Sequence, residues 1–296
     1  MAKLETAVSG AITVLEVPQE LMKKHALEQF RTWNTIPPLS TQPRIAQTLN
    51  QGSGHTAVLV IADTNSTHQS YVLRYRNPQA TALGLSFELE VGCMKIANDY
   101  GLAPNIVWLD MAHRSMVIEY LAESGPVSTE ELAALVRSIH RLPLEMPTLN
   151  LQQQMRHYWR SALEQGNSPS TLVNPEDPTV QSAIKALESE LPVTCHNDLT
   201  PPNIRRRHQD IMAIDWEYAA AGSPHFDIAA LCAGWPDIHA ESFAVAVLGD
   251  RFSKQQLRIA TRFYATIQWN WNRAAAETYE TPQSPDTLIQ HLGACL

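Results

Sequence analysis

One short segment of the sequence holds most of the side chains that could do acid–base or metal chemistry. His196, Asp198, Asp215 and Glu217 supply an imidazole and three carboxylates within 22 residues, and Asn203 adds an amide between them. Carboxylate and amide oxygens are ligands that Mg²⁺ accepts while it keeps water and substrate phosphates in its other positions. A further carboxylate can accept a proton from an incoming hydroxyl group. The segment therefore predicts a site for metal-assisted phosphoryl transfer.

The first part of this segment is predicted to be a loop. A short apolar run at 192–195 ends at His196, and Pro201 and Pro202 come soon after it. Proline lacks the backbone N–H and disfavours the α region in the residue before it, so the two prolines forbid a helix here. We therefore expect residues 196–203 to form a loop.

The second part is predicted to be a β-hairpin. Two stretches at 203–206 and 211–214 flank a polar turn at 207–210, which favours two strands with a four-residue connection. A hairpin brings its two ends together. Asn203, at the start of the first strand, and Asp215, at the end of the second, should therefore be neighbours.

The two motifs in this segment also carry a family resemblance. The pattern His-x-Asp-x-x-x-x-Asn at 196–203, followed by Asp-Trp-Glu at 215–217, resembles the aminoglycoside phosphotransferase and choline kinase superfamily. Within it the pattern is most similar to the choline/ethanolamine and thiamine kinases. The resemblance implies an ATP- and Mg²⁺-dependent enzyme that transfers the γ-phosphoryl group to a hydroxyl of a small, cationic or amino-alcohol metabolite.

The resemblance implies a role for each side chain of the motifs. Asp198, Asn203 and Asp215 would be the catalytic residues, and Asp198 would also contact the acceptor substrate. Asn203 and Asp215 would hold Mg²⁺ on the phosphates of ATP. Glu217 would be a further metal ligand, directly or through a metal-bound water, or would only fix the loop. His196 would have a structural role in the loop.

A glycine turn between two predicted strands stands where this superfamily covers the phosphates of the nucleotide. The turn is Gly52-Ser53-Gly54, and no Gly-Lys-Ser/Thr follows it, so it is not a P-loop. Glycine tolerates a positive φ and lets backbone N–H groups approach an anion. The three residues are therefore expected to bind the nucleotide.

Two further nucleotide-binding residues are implied by the resemblance. Arg74 ends the third predicted strand, where choline and thiamine kinases carry an arginine that can grip phosphate oxygens. Glu90 lies in the helix predicted at 82–100 and is expected to form an ion pair with Arg74. Glu88 is the alternative partner.

The fold implied by the resemblance is α+β, with the two lobes of a protein kinase. A small antiparallel sheet with one helix would form an N-terminal lobe, 1–122, and a mainly helical C-terminal lobe would occupy 123–296. The predicted strands, after an opening helix at 18–35, lie at 45–49, 57–62, 70–75, 106–109 and 116–121. Backbone groups near Glu119 and Leu121, at the junction, are expected to meet the adenine edge.

Helical periodicity dominates the C-terminal half. One helix is predicted to start after Ser128, and others at 151–165, 178–190 and 255–279. A further helix should begin near Gly222, and by resemblance Asp227 would cap it and brace the catalytic loop, a structural role.

The acceptor-binding residues are implied by the resemblance alone. Trp235 and a tryptophan of the last long helix match positions that bind substrate in choline kinases. An aromatic box can hold a cation by cation–π attraction. Trp269 and Trp271 are two residues apart, so on a helix only one of them can face a given pocket. We favour Trp271.

Composition excludes several other classes of protein. The chain has 296 residues, a formal net charge of −8 and 44% hydrophobic residues, so it offers no basic surface for nucleic acid and is long enough for two lobes. The four cysteines are scattered, without the spacing of a zinc site, as expected for free thiols in a reducing compartment. No predicted segment binds or crosses a membrane, and we expect a cytoplasmic protein with a small-molecule partner.

The sequence leaves other functions open. An aminoglycoside or other antibiotic could be the acceptor in place of choline, ethanolamine or thiamine. A nucleotide-binding pseudokinase would keep the fold without turnover, but Asp198, Asn203 and Asp215 are all present. A metal-dependent hydrolase could use the same carboxylates without the glycine turn.

Overall fold

A computed structural model describes residues 18–52, 54–64, 67–276 and 283–296. Its N-terminal part is built on a five-stranded antiparallel sheet in the spatial order β1-β2-β3-β5-β4. The strands are β1 (Arg44–Gln51), β2 (His55–Asp63), β3 (His68–Arg76), β4 (Ile106–Asp110) and β5 (Ser115–Glu119). All five strands were predicted, and most extend a residue or more beyond the predicted bounds.

One helix packs on each face of this sheet. Helices α1 (Gln19–Glu28) and α2 (Phe87–Asp99) lie on opposite faces because side chains alternate along a strand. On β3, Leu73 packs in the same buried cluster as Met22 of α1, whereas the next residue, Arg74, pairs with Glu90 of α2. Arg74 therefore points toward the centre of the molecule.

Both N-terminal helices are shorter than predicted. The opening helix ends at Glu28, and a separate 3-10 turn, Phe30–Thr32, follows it. Helix α2 starts only after Ser86, whose hydroxyl accepts a hydrogen bond from the N–H of Leu89. Longer helices were predicted because the turns next to these helices also contain apolar residues, and these residues are buried as well, for example Trp33 and Leu83.

The C-terminal part is mainly helical, as predicted. Its helices are α3 (Thr129–His140), α4 (Leu151–Glu164), α5 (Pro178–Glu188), α6 (Pro224–Gly234), α7 (Ala240–Leu248), α8 (Lys254–Ala274) and α9 (Pro285–Gly293). Helices α4, α5, α6, α8 and α9 share one buried cluster. Helices α7 and α9 were not predicted. The end predicted for α8, at 279, lies outside the described residues.

Five short strands complete the fold: β6 (Ala122–Glu123), β7 (Val193–Cys195), β8 (Ile204–Arg207), β9 (Asp210–Ala213) and β10 (Ala220–Gly222). Strand β8 pairs with both β6 and β9, and β7 pairs with β10. The β8–β9 hairpin was predicted, but the predicted length of its connection, four residues, was wrong. Arg207 pairs with Asp210, so only two residues turn the chain, and His208 has the φ of 55° that a tight hairpin turn requires.

None of the helices in the described parts of the chain has the length and apolar character that crossing a bilayer requires.

Candidate active site

Strand β7 leads directly into the predicted loop, and His196 fixes the start of that loop. The imidazole is fully buried. Its Nε2 lies 3.1 Å from the carbonyl oxygen of Ile214 and donates to it, while Nδ1 accepts the N–H of Asp198 at 3.3 Å. Burial lowers the pKa of His196, which keeps the ring neutral in this arrangement. His196 thus ties the loop to the segment that leads to Asp215.

Asn203 closes the other end of the loop onto Asp198. Its Nδ2 donates to Asp198 Oδ2 at 2.7 Å and to the Asp198 carbonyl oxygen at 2.9 Å. This orientation leaves the amide oxygen of Asn203 for another partner. Burial, together with the negative charges of Asp215 and Glu217, raises the pKa of Asp198 well above its usual range. A carboxylate whose affinity for a proton is raised in this way is suited to accept one from a hydroxyl group.

The hairpin places Asp215 beside Asn203, as the sequence predicted. The N–H of Ile214 donates to the Asn203 carbonyl oxygen at 2.9 Å. Asp215 follows with a left-handed φ of 67°, a conformation that costs energy for a residue with a Cβ and is tolerated best by Asn and Asp. A 3-10 turn, Trp216–Tyr218, then turns the chain away. The carboxylate of Asp215 is thereby directed at the N-terminal sheet.

Arg74 connects the sheet, helix α2 and the hairpin. Its Nη2 lies 2.6 Å from Glu90 Oε1 and 2.8 Å from Asp215 Oδ1, and 2.9 Å from His55 Nδ1. Burial opposes the charge on Arg74, but the three carboxylates around it outweigh burial and raise its pKa. The expected Arg74–Glu90 ion pair is therefore present, whereas the alternative, Glu88, accepts from Ser86 Oγ instead.

The glycine turn touches the second motif directly. A Cβ on Gly54 would lie 2.7 Å from Glu217 Cδ, which is closer than atoms can approach. His55 Nδ1 lies 3.4 Å from Glu217 Oε2. Neither Gly52 nor Gly54 has a positive φ, so the backbone freedom predicted for these glycines is not used, while their contact with an anion stays a prediction. Glu217 occupies the place of a side chain at 54, so a larger residue there would displace this carboxylate. Ser53 lies outside the described residues.

One cavity of about 430 Å³ is lined by the polar side chains of the two motifs and by the glycines of the turn. Three carboxylates line it, and no lysine or arginine does so among the described residues. The main lining side chains are Asn50, His55, Gln154, Tyr158, Asn197, Asp198, Asn203, Asp215, Glu217, Tyr218, Phe226, Tyr264, Trp271 and Asn272. The motif residues and an aromatic wall therefore share a single space.

Of the two tryptophans of α8, Trp271 faces the cavity. Trp271 lines it and donates its indole N–H to the hydroxyl of Tyr218 at 2.9 Å. Trp269 is buried, donates to the Thr171 carbonyl oxygen at 3.0 Å and lies under the guanidinium of Arg273. Trp271 is therefore the residue that can contact an acceptor.

Three amide oxygens in the cavity wall lack hydrogen-bond partners among the described residues. They are Gln154 Oε1, Asn197 Oδ1 and Asn272 Oδ1. The nitrogen of Gln154 is held by the hydroxyl of Tyr158 at 2.9 Å, and that of Asn197 by the carbonyl oxygen of Tyr218 at 2.9 Å. A buried acceptor without a donor costs free energy.

Asp227 braces the catalytic loop but does not cap its helix. The N-cap of α6 is Ser223, whose hydroxyl accepts from the N–H of Phe226, so the predicted capping role was wrong. Asp227 Oδ1 accepts the N–H of Asn197 at 2.6 Å, and Oδ2 lies 2.8 Å from His140 Nε2. Asn197 has a φ of 65°, and Asp227 holds it there.

Five of the predicted binding residues lie away from the described cavity lining. Arg74 and Glu90 line a smaller pocket next to it, together with Gly54 and Glu217, and the other three are Trp235, Glu119 and Leu121. Trp235 donates its indole N–H to the Leu199 carbonyl oxygen at 2.8 Å, beneath the catalytic loop. The carboxylate of Glu119 bonds to Arg207 and to Asn105, and Leu121 is buried.

Comparison with known proteins gives the family. Residues 46–264 match the profile of the phosphotransferase enzyme family. The chain belongs to this family. Its kinase-like fold is the one that the sequence predicted.

Individual phosphotransferases of this kind are related more distantly. The LicA homologue of Mycoplasma capricolum subsp. capricolum is 26% identical over 141 residues, which are 46% of this chain and 57% of that protein. This chain thus matches little more than half of that relative's length. Among solved structures, choline kinase LicA from Streptococcus pneumoniae has a TM-score of 0.63 at 18% identity, covering 93% of this chain and 97% of that one.

Two more solved structures show the same fold. A choline/ethanolamine kinase family protein from Mesorhizobium loti has a TM-score of 0.59 at 16% identity, covering 92% of this chain and 99% of that one. A spectinomycin phosphotransferase has a TM-score of 0.54 at 14% identity, covering 92% and 93% of the two chains.

Sequence reasoning missed several residues of this phosphotransferase site. His55 follows the glycine turn directly but matches no motif. Gln154 and Tyr158 lie on α4, and Asn272 lies beside Trp271 on α8. The helical spacing of these residues indicates which face is buried, but not which buried side chains border a cavity.

Proposed function

We propose that this phosphotransferase transfers the γ-phosphoryl group of ATP to the hydroxyl of a small cationic amino alcohol, of the choline/ethanolamine or thiamine type. One observation carries the proposal. The cavity that holds Asp198, Asn203 and Asp215 continues without a break to an aromatic wall that includes Tyr218 and Trp271. A small acceptor against this wall would present its hydroxyl to Asp198.

The catalytic role falls to Asp198. It accepts the proton of the acceptor hydroxyl as the oxygen attacks the γ-phosphorus, and the bond from that phosphorus to the β,γ-bridging oxygen breaks, which leaves ADP. Asn203 orients the carboxylate of Asp198 through its side-chain N–H. His196 and Asp227 hold the backbone of the loop by accepting the N–H groups of Asp198 and Asn197. Positioning of this kind supplies much of the rate in phosphoryl transfer.

The donor set fits magnesium. Asn203 offers an amide oxygen and Asp215 a carboxylate, and Glu217 lines the same cavity. Burial opposes ionisation of Asp215, but His55 and Arg74 outweigh it and hold its pKa below the usual value, so the carboxylate is charged. Hard oxygen groups in this number suit Mg²⁺ with phosphate and water as its other ligands. Bound there, Mg²⁺ would neutralise charge on the phosphates of ATP.

We further propose that the nucleotide lies between the two lobes, 1–122 and 123–296. Strand β6 at the junction pairs with β8 of the hairpin, which supports a hinge there. Arg74 and the glycine turn would contact the phosphates, with Glu90 holding Arg74. Backbone groups near Glu119 and Leu121 would meet the adenine. A cytoplasmic location stays a prediction.

The cavity favours a cationic acceptor for two reasons. Asp198, Asp215 and Glu217 line it with carboxylates that His55 and Arg74 offset only in part, and aromatic faces attract cations. Choline, ethanolamine and thiamine all carry such a positive charge.

ADP release from Mg·ATP, measured against thiamine, choline, ethanolamine, spectinomycin and other aminoglycosides, tests the proposal. We expect turnover that depends on one of the first three acceptors and is lost in Asp198→Ala, while nucleotide binding persists. The control is Asp250→Asn, an exposed carboxylate elsewhere in the C-terminal part, which should match the wild type.

Other outcomes of this assay would indicate one of the alternative functions. Turnover with an aminoglycoside alone would make the chain an antibiotic phosphotransferase. Phosphate release without any acceptor would indicate a hydrolase. Mg·ATP binding without turnover on the whole panel would contradict the proposal in favour of a pseudokinase.

A further inference from the structure

A second group of potential metal ligands lies on the N-terminal sheet, far from the catalytic loop. His25 is in the last turn of α1, Asp110 ends β4, and His113 lies in the turn between β4 and β5. One ligand atom from each lies within 4.8 Å of the other two. The α1 helix packs on the sheet face opposite to Arg74. The group is therefore separate from the phosphotransferase site.

The two imidazoles converge on one carboxylate oxygen. Asp110 Oδ2 lies 3.1 Å from His25 Nε2 and 2.6 Å from His113 Nδ1. The other oxygen, Oδ1, accepts the backbone N–H of His113 at 3.0 Å, which fixes the carboxylate. The two rings are 4.5 Å apart. Ligands about 2.0 Å from a tetrahedral Zn²⁺ lie about 3.3 Å from one another, so small side-chain rotations would seat an ion.

We propose that His25, Asp110 and His113 form a binding site for a transition-metal ion, Zn²⁺ in the first place. Two imidazole nitrogens and one carboxylate oxygen suit Zn²⁺, Co²⁺ or Ni²⁺, whereas Mg²⁺ requires oxygen ligands. The side chains of His25 and His113 are 34% and 36% exposed, so an ion can reach them from solvent. A water molecule would complete the coordination shell.

The consequence of binding would be structural. The ion would join the C-terminal end of α1 to the β4–β5 turn, two segments that are distant in the sequence. A ligand that binds only the folded protein stabilises it. The metal would therefore stabilise the N-terminal sheet without taking part in phosphoryl transfer.

Titration of the full chain with Co²⁺ tests the site. The protein is first freed of metal with a chelator, and excess Mg²⁺ and ADP are kept present to occupy the phosphotransferase site. We expect about one equivalent of Co²⁺ to give the visible absorption bands of four-coordinate cobalt, and Zn²⁺ to displace it. His25→Gln and His113→Gln should each weaken binding by about a hundredfold, with acceptor-dependent ADP release unchanged.

Matched variants keep the test decisive. His68→Gln removes another surface histidine that pairs with an aspartate, Asp63, without a second imidazole, and it should leave cobalt binding intact. Asp215→Asn should also leave it intact. Cobalt binding that survives His25→Gln and is lost in Asp215→Asn, or no cobalt binding at micromolar protein, would overturn the proposal. The circular dichroism spectrum of each variant confirms folding.

Discussion

At the scale of single residues, Gly54 is defined by the carboxylate that faces it. The glycine turn does not use the special backbone freedom of glycine. Instead, Glu217 fills the space that a side chain at 54 would need. Gly52 is different, because a Cβ there would lie 3.3 Å from the end of the Asn50 side chain and at an ordinary contact distance of 3.6 Å from the His55 carbonyl oxygen. A side chain is therefore expected to disturb the site at position 54 but not at position 52.

We expect Gly54→Ala to displace Glu217 and the turn, and to lower kcat/KM for ATP by at least about tenfold. Gly52→Ala, the matched control, should cost about threefold or less, since Asn50 can rotate away. Steady-state kinetics with varied ATP would measure both. Equal losses in the two variants would contradict this account of Gly54.

Trp271 gives a second residue-scale prediction. Trp271→Ala removes an aromatic face from the cavity, so KM for a cationic acceptor should rise by about tenfold or more, the loss of about 1–2 kcal/mol of cation–π attraction. KM for ATP should stay the same. Trp235→Phe should leave KM for the acceptor unchanged, because Trp235 is bonded beneath the loop. If KM for the acceptor rose with Trp235→Phe and not with Trp271→Ala, Trp235 rather than Trp271 would be the residue that contacts the acceptor.

At the scale of elements, the catalytic loop depends on one carboxylate that belongs to a different helix. Asp227 of α6 accepts the N–H of Asn197, which has a left-handed backbone conformation, and is itself held by His140 of α3. The loop is thus positioned by two helices. The hydrogen bond to Asn197 is almost completely buried, so its loss leaves an unpaired donor.

We predict that Asp227→Ala lowers kcat by at least about tenfold and the free energy of unfolding by about 1–3 kcal/mol. KM for both substrates should change less, since Asp227 touches neither. Asp237→Asn, an exposed aspartate just after α6, is the control. A variant that loses stability but retains the full kcat would show that Asp227 only stabilises the fold.

The same elements show what the sequence can predict. The catalytic loop and the neighbourhood of Asn203 and Asp215 follow from local signals, the prolines and the hairpin pattern. The length of the hairpin turn does not, because Arg207 and Asp210 are polar and look like turn residues although they pair in the ladder. His55 and Tyr158 could not be placed, since their contacts join segments that are distant in the sequence and no local pattern specifies such contacts.

At the scale of the whole molecule, the N-terminal sheet and the hairpin are joined by charge. Arg74 binds Asp215 across the junction, and Arg207 pairs with Glu119. Ligands that bind between the two parts should therefore strengthen a contact that already exists, which makes heat stability a direct measure of nucleotide and metal binding.

We expect Mg²⁺ and ADP at about 100 times Kd to raise Tm by about 5 °C. A chelator should remove most of this rise, because Asn203 and Asp215 would hold the metal against the phosphates. Asp215→Asn should lose the metal-dependent part, whereas Asp250→Asn should respond as the wild type. A rise of equal size with and without Mg²⁺ would contradict the metal assignment.

The close contact of Gly54 with Glu217 also has a kinetic consequence. Arg74 is only 3% exposed, and Gly54 and Glu217 line the same small pocket as Arg74. If ATP phosphates contact Arg74 as proposed, we expect Gly54 and Glu217 to separate before the nucleotide binds. Entry is then a gated event, and we expect the observed rate of nucleotide association in stopped-flow measurements to level off at high concentration, at the rate with which the turn opens.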